Sequence, residues 1–133
     1  MEKINLSPNH RRSFTSSLMV VERNLIEIEN ILKHPVNGLL SEMTVDISKL
    51  RQEECLQNIT DARRVIGQLF TKYGLYKHTT LISRFIDSRK SGIWEILCDT
   101  SSKRLKGYGE FPPENITEFD EDINVLQKLI EKI

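Results

Sequence analysis

Residues 116–133, ITEFDEDINVLQKLIEKI, place Ile116, Phe119, Ile123, Leu126, Ile130 and Ile133 at alternating spacings of three and four. Side chains so spaced share one face of a helix, and that face must be buried against a neighbour. The rhythm recurs upstream in Phe14, Leu18, Val21, Leu25, Ile28 and Leu32, and again in Cys55, Ile59, Ala62, Ile66, Leu69 and Tyr73. A less regular version runs through Ile82, Phe85, Ile86, Ile93, Ile96 and Leu97, interrupted by Arg89. Four amphipathic segments, with no useful run of strand-like alternation, predict an all-α chain.

Local chemistry sets the expected boundaries. Ser7 is a good N-cap and Pro8 suits the first helical position, so the first helix is expected over 8–33, stopping ahead of Pro35. Ser48 or Asp46 opens a second helix over 48–73, and Gly74 supplies the left-handed residue that ends it. The third is expected over 80–106, closed by Gly107, and the fourth over 113–133, opened by Pro113. Between the first two, Pro35, Asn37 and Gly38 form turns. Leu39, Leu40, Met43, Val45 and Ile47 are too apolar for a free linker, so this connection is expected to fold over the ends of the helices. Helices joined this way most often form an up-and-down antiparallel four-helix bundle, here one domain over 1–133. A helical hairpin that completes its bundle only as a dimer is the competing architecture.

Lysine and arginine number 19, against 19 aspartates and glutamates, so no global field recruits nucleic acid or acidic lipid. The first residues lack an apolar leader core, and no stretch approaches the roughly 18 apolar residues of a membrane span. Two cysteines are too few for a disulfide scaffold. A cytoplasmic protein without membrane association is the expectation. The triplets Asn58-Ile59-Thr60 and Asn115-Ile116-Thr117 match a glycosylation pattern, but each central isoleucine belongs to a seam, so they are read as helix.

Searches for chemistry return little. Di-iron bundles use Glu-x-x-His, which is absent, and His10, His34 and His78 lie far apart near helix ends. No histidine has the following Lys and Gly of a phosphotransfer bundle, or the preceding Arg of a HEPN-type ribonuclease. Gly107-Tyr108-Gly109 is a helix stop and turn rather than a phosphate loop. Cys55 has no histidine nearby in sequence. No catalytic residue, metal ligand or cofactor is nominated.

Three constellations stand above background. In an up-and-down bundle one end would gather His10, Arg11, Arg12, Lys72, Lys77, His78 and Arg84, with Tyr73 and Tyr76 available for stacking. That end is a candidate site for an anion or nucleic acid, because positive charge at a helix start is otherwise unfavourable. The second constellation is surplus hydrophobicity outside the seams: Met19, Val20, Ile26 and Ile31 on the first helix, and Trp94, Cys98 and Leu105 on the third. These are candidate interface residues, with Trp94 as anchor. The third is the pair Cys55 and Cys98, expected at the same height but facing differently, as packed free thiols. A smaller feature is a polar network of Arg63 and Arg89, with Glu22 as a partner for Arg63 and Asp61 and Asp87 nearby in sequence. The leading expectation is a non-enzymatic module that binds itself or a protein partner, and the basic end is the second reading.

Overall fold

The structure is a computed structural model that describes residues 2–133. It is all-helical, with α1 (Pro8–Lys33), α2 (Lys49–Lys72), α3 (Ile82–Cys98), α4 (Ser102–Leu105) and α5 (Ile116–Glu131). Single 3-10 turns lie at Lys106–Tyr108 and Pro113–Asn115. Among the described residues no strand is present; Asn37 and Glu42 form one isolated antiparallel bridge. The chain divides into two compact units, the first ending at Lys77 and the second running over His78–Ile133.

The first unit is an antiparallel hairpin of α1 and α2. Ser7 Oγ accepts from His10 N at 3.2 Å with Pro8 in the first turn, and Ser48 Oγ accepts from Arg51 N at 3.1 Å. Both caps satisfy N–H groups that a helix start leaves unpaired. The end of α2 is a complete Schellman motif. Gly74 takes φ 58°, its N–H bonds Thr71 O, and Leu75 N bonds Phe70 O at 3.0 Å. Leu75 is thereby folded back and buried.

The α2 seam faces inward as expected, with Ile59 buried and Cys55, Ala62, Ile66, Leu69 and Tyr73 half-buried. The α1 face is rotated from the expected one. Phe14, Leu18, Leu25 and Leu32 are half-buried, but so are Glu22 and Glu29, while Val21 and Ile28 are exposed. Two cross-helix contacts account for the turn: Phe14 meets Tyr73 edge-on at 5.3 Å, and Glu29 Oε2 pairs with Arg63 at 3.3 Å.

The connection over 34–47 departs from expectation. It has no helical turn, and Gly38 N bonds Ser41 O at 2.8 Å to close a tight loop. Leu39 and Leu40 sit at its tip fully exposed rather than covering the helices. The returning segment leaves a recess of about 290 Å³ lined by Ile31, Leu32, Pro35, Met43, Val45 and Ile47, among others.

The second unit pairs α3 antiparallel with α5. The expected helix over 80–106 is broken at Asp99, and α4 starts afresh. The cause is a run of short polar residues whose side chains compete for the backbone. Thr100 Oγ1 donates to Ile96 O at 2.6 Å, Ser101 Oγ accepts from Arg104 N at 3.2 Å, and Asp120 of α5 accepts from both Ser102 N (2.9 Å) and Ser102 Oγ (2.7 Å). The expected helix over 113–133 begins with a 3-10 turn and becomes α-helical at Ile116.

In this unit the expected α3 seam does not face its neighbour. Lys90, Trp94 and Leu97 form the half-buried row, whereas Ile82, Phe85, Ile86, Ile93 and Ile96 are exposed. On α5, Ile116, Phe119, Ile123 and Ile130 are half-buried as expected, but Gln127 takes the inward place expected of Leu126. Leu126 and Ile133 are exposed.

Candidate association faces

The inward rows define where the leftover apolar side chains lie. At roughly 100° per residue, Ile82, Ile86 and Ile93 stand about 80–120° to one side of Trp94. By the same geometry Leu126, Leu129 and Ile133 stand about 60–120° to one side of Ile123, with the same sign. In an antiparallel pair, equal signs from the facing rows fall on the same side. The six aliphatic side chains therefore share one broad face of the α3–α5 hairpin, and all six are exposed. Arg89 lies level with the end of α5, its guanidinium 5.1 Å from the Phe85 ring centroid, with Ile82 and Ile86 further along α3 beyond that level, and Glu118 and Asp122 are at the other end.

The α1–α2 hairpin has a corresponding outer face that is less continuous. Val21, Ile28 and Val65 are exposed there, interleaved with Ser17, Asn24, Arg51 and Asn58.

The candidate interface residues named from sequence separate on inspection. Val20 and Ile26 are exposed on opposite flanks of α1, Met19 is half-buried, and Ile31 is half-buried in the wall of the recess. Trp94 belongs to the inward row of α3, so it anchors the hairpin itself. Cys98 is exposed and its Sγ accepts from Gln127 Nε2 across the hairpin at 3.7 Å, while Leu105 is half-buried on α4. Cys55 and Cys98 are free thiols. The broad α3–α5 face was missed because five of its six residues had been assigned to core seams. The available signal was an apolar arc too wide for one neighbour to cover.

Of the seven basic residues, His10, Arg11 and Lys72 are engaged. Arg11 donates to Tyr76 Oη at 2.9 Å and to Asn5 Oδ1 at 3.1 Å, and its guanidinium lies 5.5 Å from the Tyr76 ring centroid. Together with Ile4 N bonding Lys72 O at 2.8 Å, this pins the segment ahead of α1 to the end of α2. Lys72 Nζ lies 5.7 Å from the Tyr73 ring centroid, so both tyrosines already carry a cation. His10 Nδ1 is 2.9 Å from Ser7 Oγ. Arg12 and Lys77 are exposed in this unit, as are His78 and Arg84 in the other.

The polar network also differs from expectation. Arg63 pairs with Glu29 rather than Glu22, and Glu29 also accepts from Lys33 Nζ at 2.9 Å. The bonded Lys33 ammonium, aided by Arg63, holds the Glu29 carboxyl below its ordinary range. Asp87 and Arg89 are both exposed, so no buried charge cluster forms around them. Among the described residues no group of three or more His, Cys, Asp or Glu is placed to hold a metal ion. No helix among the described residues is long and apolar enough to cross a membrane.

Asp120 is the polar residue with the clearest structural task, since it caps α4 from α5. The Ser102 N–H and then its hydroxyl hold the Asp120 carboxyl below its usual range. A depressed folded-state pKa contributes stability above the ordinary carboxylate range, and that contribution is lost as pH falls through the folded value. Asp120→Asn should therefore lower the thermal midpoint at neutral pH. The gap from wild type should close as pH drops below about 4. A gap that stays constant down to strong acid would contradict the charge-assisted cap.

No protein-family model matches the chain, and neither the curated proteins nor the solved structures contain a match to it.

Proposed function

We propose that this chain is a non-enzymatic protein-association module whose outer helix faces are covered by protein in its working state. One observation carries the proposal. The chain exposes 11101 Å² of surface. Two separate compact domains with the lengths of its two units would together expose only roughly 8,700 Å². The excess of about 2,400 Å² is a lower bound for the two units taken separately, because contact between units only lowers exposed area. Among the described residues only Ile59 and Leu75 form a buried apolar core. A helix pair with so little buried surface has little to set against its ordering entropy.

The antiparallel four-helix bundle expected from sequence is, in this proposal, the form the helices reach once such faces are covered. The second reading, an anion or nucleic-acid site at the basic end, has less support because Arg11, Lys72 and both tyrosines are engaged internally. Carbene labelling of aliphatic side chains in the intact chain tests the proposal, by asking whether the outer faces meet water.

A further inference from the structure

We propose that the partner on the α3–α5 face is a second copy of this chain, docked about a two-fold axis running along the helices. This rests on the association reading above and adds the identity of the partner and its orientation. In this arrangement α3 of each copy lies against α5 of the other, and every helix runs antiparallel to both neighbours. Two hairpins then make one four-helix core, and the interface is self-complementary, as a two-fold contact must be.

Charge placement selects this axis. Lys90 Nζ donates to Glu131 O at 2.6 Å and to Ile133 O at 3.3 Å, which fixes the middle of α3 level with the end of α5. Arg89 is one residue away, about 100° further round, toward the apolar face. An axis along the helices keeps heights unchanged, so Arg89 meets the C-terminal turn of the second copy's α5. Positive charge is favourable there, where carbonyls lack partners. At the other end, the Asp120–Ser102 bonds set α4 level with the start of α5. Glu118 and Asp122 therefore come level with Lys103 and Arg104 of the second copy. An axis across the helices would reverse one copy end for end, moving the acidic start of α5 toward the carbonyl end of the other α5. That pairing is repulsive.

Area and composition agree. The 16 residues of α5 span about 24 Å, and two helices side by side are about 20 Å wide, so the projected contact approaches 1,000 Å² over both copies. Side-chain relief adds to that, which brings the contact into the range of specific interfaces. The aliphatic side chains level with α5, namely Ile93, Leu126, Leu129 and Ile133, suit an identical aliphatic face. They suit the amide-bearing outer face of α1–α2 less well, because burying Asn24 and Asn58 without partners is costly.

Sedimentation equilibrium on the full chain and four variants is the test, with circular dichroism to confirm that each variant keeps its helices. Wild type should sediment as twice 15.5 kDa at micromolar concentration. Ile93→Asp and Leu129→Asp should raise the dimer dissociation constant about 100-fold or more, and Arg89→Glu about tenfold. Arg84→Glu, on the opposite side of α3, should leave it unchanged. A dimer indifferent to all four would overturn the proposal by placing the contact elsewhere. A monomeric wild type would overturn it too, and labelling then separates two cases. Protected faces would mean they are covered within one chain, which removes the association reading as well, whereas unprotected faces would leave that reading with a different protein as the partner.

Discussion

Ile59→Ala is expected to cost the α1–α2 hairpin about 2–4 kcal/mol, enough to unfold it at ambient temperature. Ile59 is 6% exposed, and Leu75 is the only other buried apolar side chain among the described residues. Deleting its outer carbons leaves a cavity between α1 and α2 that two helices tied by few contacts refill poorly. Substitutions on the outer face of α1, such as Val20→Ala, should stay within about 0.5 kcal/mol in the isolated monomer. Urea unfolding followed by circular dichroism separates the two classes. Equal effects at Ile59 and Val20 would show that the inward row has been misplaced.

Trp94→Ala carries the second large effect, and its character has changed from the sequence expectation. As an exposed anchor, Trp94 would weaken association and leave the helices intact. As a half-buried member of the row with Lys90 and Leu97, it holds α3 to α5. Its loss should therefore melt the α3–α5 hairpin, at a cost of about 2–4 kcal/mol after discounting for partial exposure. Hydrogen exchange should show faster amide exchange through α3 and α5 together, with α1 and α2 unaffected. Slow exchange in both helices alongside a fall in oligomer mass would restore Trp94 to an outer role.

What was legible in the sequence was local. Ser7-Pro8, Pro35, Ser48 and Gly74 act on their own neighbours, and α1 and α2 begin and end within a residue of where those signals put them. The break in the third helix was not legible, because it needs Asp120 to arrive from 18 residues away and hold Ser102. Nor was the direction each seam would face. On the wheel Val21 and Ile28 flank Leu25 on one side and Glu22 and Glu29 flank it on the other, as Leu126 and Gln127 flank Ile123. Either flank can face a neighbour, and the choice is made by contacts such as Phe14–Tyr73 and Arg63–Glu29. The association face was hidden for the same reason. Seam spacing marks residues that want cover, and it does not distinguish cover from the next helix in the chain from cover by another molecule.

The central claim is that the aliphatic residues left outside each helix pair do not meet water when the protein works. Carbene photolabelling of the intact chain at micromolar concentration, read residue by residue by mass spectrometry, measures this directly. Ile93, Leu126, Leu129 and Ile133 should label weakly, as core side chains do, while Leu39 and Leu40 at the loop tip label strongly. If these four label as strongly as the loop leucines, the faces are solvated and the self-association account fails.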